Sequence, residues 1–375
     1  MVRRRRFVAL GILILVAAAI SSMVAALAGG TSQPRGIAAA VRHEKQPAKP
    51  AFPTRPKEIR GVHVSMGLAS LPGKIEHYIA MRRQGLNTLE VDVKDETGQV
   101  AFGTPAVALA RRIGAVQSYY DPHELVRKAH AKHVYLIGRV VVFEDPVLSE
   151  RMPGYALHNP DGSVWHNSAG LGWLNMYDTR VWKYVTDLGL AAAEAGFDEI
   201  QFDYVRFPTD GDIWNIQYAR KVNEKKGVTI GRFAKYASHR LHRAGVRVGA
   251  DLFGLAAHGN LGIGQVPRKI ARYVDTVSPM AYPSHYTPGE YNIPDPDAAP
   301  GPVVFNTLKE FSRSLHGRKA VLVPWLQDFA LGRTYTFADV KAQVNAARNM
   351  NTAGFLLWNP EGNYTVNALR PLRRY

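Results

Sequence analysis

Eight short apolar runs alternate with seven amphipathic ones through most of this 375-residue chain, and that alternation restricts the fold more than any other feature. The runs at 61–65, 88–94, 134–142, 199–204, 247–253, 276–281, 320–325 and 354–358 have the length and β-branched content of buried strands. Between them, 74–84, 122–132, 181–195, 232–244, 267–273, 303–315 and 337–350 read as helices. Gly85, Gly196, Gly245 and Gly354 stand where a helix should stop before the next strand. A strand followed by a helix and a parallel strand is one repeating unit, and eight strands in that pattern predict an α/β fold closed into a (β/α)8 TIM barrel. The rival is an open doubly wound sheet. Its nucleotide-binding form is disfavoured because neither G-x-G-x-x-G nor G-x-x-x-x-G-K-[ST] follows the first strand, and no cofactor is expected.

The barrel is expected over 58–375. Ahead of it, Arg3 to Arg6 precede an uncharged run over 7–28, the pattern of an export signal. Ala26-Leu27-Ala28 suits cleavage, while the run is also long enough to span a bilayer, so 1–28 reads as a signal peptide or an uncleaved membrane anchor. The arginines would keep the amino terminus cytoplasmic and place the remainder outside, in the envelope or secreted. Residues 29–57 are rich in Pro, Ala, Lys and Arg and read as a flexible linker. The chain has no cysteine, so an exported barrel would have to be held by its core alone, for which a 46% hydrophobic content suffices. Its net charge of +16 is scattered rather than striped, which argues against nucleic acid and for attraction to anionic envelope polymers or headgroups. Oligomeric state is not legible.

Chemistry in such barrels gathers where strands give way to the following loops. In GFDEIQFDYVRFPTD, 196–210, strand alternation puts Gln201 and Asp203 on one face, with Asp203 at the strand's carboxyl end and Arg206 in the loop beyond. The other strand ends offer His63 and Ser65; Asp92, Lys94, Asp95 and Glu96; Arg139, Glu144 and Asp145; Asp251; Tyr282, His285 and Tyr286; Trp325, Gln327 and Asp328; and Trp358, Asn359 and Glu361. Paired carboxyls at a cleft can cleave a glycosidic bond when one donates a proton and the other stays charged. Burial and neighbouring cations such as Lys94 or Arg206 separate their pKa values. Aromatic rings at the rim supply platforms for sugar faces. Taken singly, Asp95 or Asp328 reads equally well as a loop-fixing group, Lys94 with Asp92 as a structural pair, and His63 as a hydrogen-bonded structural residue.

EVDVKDETG, FDEIQFDYVRFP, DLFG, SPMAYPSHY, PWLQDF and GFLLWNPEGNY, in that order, resemble a bacterial family of glycoside hydrolases distantly similar to α-amylase-type barrels. The resemblance runs from about Arg60 to Tyr364. It implies a secreted or tethered TIM barrel acting on a polysaccharide. By likeness to amylase-type barrels, Asp203 matches the nucleophile at the end of the fourth strand, while Asp251 stands where their acid/base Glu would be.

The expectation is therefore an exported glycoside hydrolase cleaving a cell-envelope or extracellular polysaccharide, with Asp203 and Asp251 catalytic. Asp92, Lys94, Arg206, Tyr282, Trp325, Asp328, Trp358 and Glu361 would line the subsites, Asp328 and Glu361 doubling as reserve proton donors. Two alternatives stand beside it: a glycan-binding barrel without turnover, and a metal-dependent hydrolase. The second would want a His-x-His on the first strand, where this chain has His63-Val64-Ser65.

Overall fold

The computed structural model describes residues 54–220 and 223–372. The expected leader at 1–28 and nearly all of the expected linker at 29–57 lie outside the described residues. Among the described residues, no helix is long and apolar enough to cross a membrane.

The strands are β1 (Ile59–Val64), β2 (Thr88–Lys94), β3 (Tyr135–Val141), β4 (Glu199–Asp203), β5 (Arg247–Phe253), β6 (Thr276–Ala281), β7 (Val321–Leu322), β8 (Trp325–Gln327) and β9 (Gly354–Trp358). Every pairing between them is parallel. β1 pairs with both β2 and β9, and β5 with both β4 and β6, so among the described residues the sheet has no free edge and closes as the alternation predicts. β7 and β8 are two pieces of one stave. The run expected unbroken over 320–325 is split at Pro324, which has no N–H for the ladder, and resumes as far as Gln327. The barrel therefore has eight staves. Closure at β1 and β9 depends on Gly354, which has φ 136°; a Cβ there would run into the Ile59 backbone.

The outer helices are α1 (Lys74–Ala80), α2 (Pro122–His130), α3 (Thr179–Ala195), α4 (Lys226–Arg243), α5 (Pro267–Ile270), α6 (Pro300–Leu315) and α7 (Phe337–Asn349). Their ends are written locally. Asp121 accepts from the N–H groups of His123 and Glu124 at the start of α2, where Pro122 occupies the first turn. Thr336 and Asp339 form a capping box on α7, and Gly196, left-handed at φ 111°, ends α3. Most apolar side chains of strands and helices merge in one continuous core between sheet and helix layer. A smaller apolar cluster, including Tyr135, Ile137, Tyr282, Trp325 and Leu356, packs separately from it.

Candidate active site

β3 runs through an apolar stretch, VYLIGRVVVF over 134–143, broken by one charge, Arg139. A guanidinium in that position must find carboxylates or leave a costly buried ion. Arg139 finds three. Its Nε and Nη2 donate to Asp203 Oδ2 at 3.0 and 2.7 Å, its Nη1 donates to Asp92 Oδ1 at 2.8 Å, and Glu96 Oε2 lies at 3.4 Å from Nη1. Asp203 is the last residue of β4 and accepts at Oδ1 from the N–H of Tyr204, 2.7 Å away. Tyr204 has φ 53°, a left-handed backbone that a bulky side chain adopts only under constraint, so the chain turns sharply immediately after Asp203.

Asp92 lies on β2 opposite Arg139. Burial alone would raise its carboxyl, but the charges of His63 and Arg139 outweigh burial and bring it down to about 2. His63, on β1, places Nδ1 2.8 Å from Glu90 Oε2 and Nε2 3.5 Å from Asp92 Oδ2. Burial favours the neutral ring, yet Asp92 and Glu90 prevail and raise the imidazole to about 9. Burial moves the Glu90 carboxyl upward. The ring of Trp358, at the end of β9, stacks on His63 at 4.3 Å, and the Arg139 guanidinium sits over it at 5.3 Å.

Asp251, on β5, accepts at Oδ1 from Gln201 Nε2 at 2.6 Å and from the Trp325 indole N–H at 2.7 Å. Its Oδ2 is buried and, among the described residues, has no hydrogen-bond partner. Burial first, then the charges of Asp203 and Glu90, push this carboxyl well above the usual range. The two acids predicted as a pair thus face one interior, close enough for Asp203 to act on Asp251. They differ in depth: Asp203 keeps 7% of its surface exposed and Asp251 1%.

The other expected site residues divide. Asp92, Trp325 and Trp358 belong to this group. Tyr282 is buried near it, its phenol pushed up by burial and by the charges of Asp251, Asp203 and Glu90. Lys94 sits apart. Simple alternation would put it beside Asp92, but the register slips between them, so that Asp92 pairs with Arg139 and Lys94 with Val140, which face opposite ways. Its ammonium meets Asp145 Oδ2 at 3.3 Å and the carbonyls of Val141 and Glu144 at 3.0 and 3.1 Å. Arg206 is buried with its guanidinium over the rings of Trp173, Tyr204 and Phe253. Asp328 accepts from the N–H and hydroxyl of Thr365, both at 2.7 Å. Glu361 lies exposed in the loop after β9 and accepts from Asn363 at 3.3 Å.

Like His63 and Glu96, two further members of the cluster, Arg139 and Glu90, were not among the residues expected to act. Their signal was available in the sequence: a lone charge in an apolar strand, and an acid two residues before Asp92 and hence on its face. Glu144 is a further buried acid in the loop after β3, lifted to about 8 chiefly by burial, with Asn167 donating to its Oε2 at 3.0 Å and Oε1 unpartnered among the described residues. Among the described residues, no group of three or more His, Cys, Asp or Glu is placed to hold a metal ion.

The fold has many counterparts among solved structures. The glycoside hydrolase domain of PgaB (BpsB) from Bordetella bronchiseptica superposes with a TM-score of 0.54 at 13% identity, covering 80% of this chain and 94% of that one. The spore cortex-lytic enzyme SleL of Bacillus megaterium gives 0.51 at 11% identity, covering 84% and 74%. A hypothetical protein from Ruminiclostridium thermocellum is 32% identical over 51% of this chain and 96% of its own, with a TM-score of 0.47. No curated protein matches the chain. A family model described as "Putative glycosyl hydrolase domain" matches residues 61–364, first strand through last site loop, and the chain belongs to that glycoside hydrolase family.

Proposed function

We propose that the protein is an exported glycoside hydrolase acting on a cell-envelope or extracellular polysaccharide, with Asp203 as the charged carboxylate and Asp251 as the proton donor. The opposed surroundings of these neighbours carry the reading. Asp203 is gripped by the Arg139 fork and a backbone N–H, an environment made for an anion. Burial first, then the charge of Asp203, push the Asp251 carboxyl well above the usual range, which favours its protonated form. Both N–H donors reach Asp251 at Oδ1, so its proton belongs on Oδ2, which no group among the described residues engages. An acid with a free O–H beside a fixed anion is what protonation of a glycosidic oxygen and attack at the anomeric carbon require. Trp358, partly exposed beside Arg139, supplies a ring for a sugar face. The basic leader and the +16 charge support export and an anionic envelope setting.

Reducing-end release from purified sacculi and bacterial exopolysaccharides tests this. Wild type should liberate ends from at least one, and Asp203→Asn should lower the rate about 10²–10⁴-fold while its circular dichroism stays unchanged. Equal turnover by the folded variant would remove Asp203 from the chemistry. Retention of a glycan with no release by wild type would make the barrel a binder.

A further inference from the structure

Between the mouth of the barrel and its first strand runs an unbroken line of charge: the His63 ring, the Asp92 carboxylate, the Arg139 guanidinium and the Asp203 carboxylate. All four are buried, and their signs alternate. Arg139 is shared, bonding Asp92 through Nη1 and Asp203 through Nε and Nη2. Its orientation therefore depends on how strongly each carboxylate pulls. Asp92 is restrained on its far side by His63 and by the N–H of Met66, 3.3 Å from Oδ2. Were His63 neutral, Asp92 would keep its attraction for Arg139 and lose its own counterion, so the guanidinium would be drawn from Asp203 toward β2. His63 also touches the second half of the site. Its ring lies against Trp358 and edge-on to Trp325, 6.4 Å away, whose indole N–H holds Asp251.

We infer that His63, in its charged form, is a positioning residue for this reaction: it sets where Asp92 lets Arg139 hold Asp203. The inference rests on the assignment of Asp203 above. His63 itself reaches no substrate, since both ring nitrogens are engaged by protein carboxyls. The charged or titratable groups facing it are Glu90 and Asp92 on β2, Arg139 on β3 beyond them, Asp203 and Asp251 one contact further on β4 and β5, and Tyr364, whose hydroxyl donates to the His63 carbonyl at 2.6 Å. With an imidazole held at about 9, the positioning charge is present through neutral pH and is lost as pH rises past that point.

Two measurements test this. The first needs no substrate: a protonated imidazole stacked on an indole quenches its emission, so wild-type tryptophan fluorescence should rise with a midpoint near pH 9. His63→Gln and Trp358→Phe should both lack that step. An unchanged step in His63→Gln would overturn the inference. The second is reducing-end release from purified sacculi between pH 6 and 10. His63→Gln should lose at least about tenfold in kcat near neutrality with KM within about twofold, the division expected when only the transition state is affected. The wild-type to variant ratio should fall toward one above pH 9. A ratio constant with pH would reduce His63 to a structural part. If His63→Gln does not fold, Asp92→Asn replaces it: the emission step should persist at a lower midpoint while kcat falls, and full kcat in that variant would sever the chain. If wild type releases no ends from sacculi, the pH series is run on whichever exopolysaccharide it cleaves; if it cleaves none of them, the catalytic assignment of Asp203 fails, and the fluorescence titration still decides whether His63 carries the charge.

Discussion

At the floor of the barrel, Glu199, the first residue of β4, accepts from Arg55 at both oxygens, from Thr276 at Oε1 and from the Tyr135 hydroxyl at 2.9 Å on Oε2. One strand over and nearer the mouth, Asp251 has, among the described residues, two donors on one oxygen and none on the other. Both acids are buried and both stand inside the same sheet. The floor uses both oxygens of its carboxylate: Glu199 ties the other strand-first residues, Tyr135 and Thr276, to itself, and Arg55, from the segment before β1, donates to both Glu199 and Thr276. Above the floor, acceptors on Asp251, Gln201 and Glu90 stay open among the described residues. Buried polar atoms without partners are uncommon enough to need a cause. A saturated carboxylate can only hold structure, whereas a half-satisfied one keeps valence for a proton or a ligand.

That contrast breaks most easily at Arg139. Arg139→Met would strand Asp203 as a buried charge and leave Asp92 with His63 as its counterion, and loss of one partner from such a group costs about 3–5 kcal/mol. The urea midpoint should fall accordingly, and activity with it. Arg139→Lys keeps the charge but not the fork, so it should fold better than Arg139→Met and still turn over poorly. A methionine variant as stable as wild type would mean that the mouth cluster is solvated rather than sealed.

Asp251→Asn separates the two roles more sharply. An acid whose folded pKa is raised favours folding at low pH and withdraws that support as pH climbs from its ordinary value toward the folded one. Asparagine keeps an oxygen for Gln201 and Trp325 and removes the titration. Thermal melts should show Asp251→Asn at least as stable as wild type at pH 7 and the gap widening with pH, while turnover falls about 10²–10⁴-fold. Wild-type turnover in this variant would transfer proton donation to another acid, with Glu144 the first to try. At the floor the pattern should invert. Glu199→Gln should cost about 1–3 kcal/mol, because Arg55 and Tyr135 lose an ionic acceptor, with kcat per folded molecule unchanged. A drop in kcat there matching that of Arg139→Lys would erase the distinction between the two ends.

The fold was legible because its information is local. β2, β5, β6 and β9 begin and end where the apolar runs do, and α7 differs from its expected span by one residue. Pro324 split the seventh stave because its effect depends on the ladder on each side, which a run of valines and leucines does not reveal. At the site, alternation placed Asp203 and Gln201 on a common face, and Gln201 indeed reaches across to Asp251. The same alternation misplaced Lys94, since a bulge is a property of two strands together. It also could not rank Arg139, whose importance comes from three acids supplied by β2, β4 and a loop. Periodicity assigns a side chain to a face, while its partners are set by register and loop closure.

Asp328 tests whether every raised acid at the mouth shares in the chemistry. Burial lifts it to about 6 despite two bonds from Thr365, and the sequence held it as a reserve proton donor. In place of the carboxylate, an asparagine oxygen can take the Thr365 N–H while its NH2 donates to the hydroxyl, which is free to rotate and accept. Asp328→Asn should therefore cost no more than about 1 kcal/mol, a shift of a few degrees in Tm. It should also remove a small loss of wild-type stability between about pH 4 and 6, because a carboxyl raised on folding withdraws its contribution over that interval. The pH–rate profile should stay as it was, since both oxygens of Asp328 already serve the loop that carries Thr365. Loss of a limb from that profile in Asp328→Asn would place the proton donor at the seventh stave and leave Asp251 with the part that Glu199 plays at the floor.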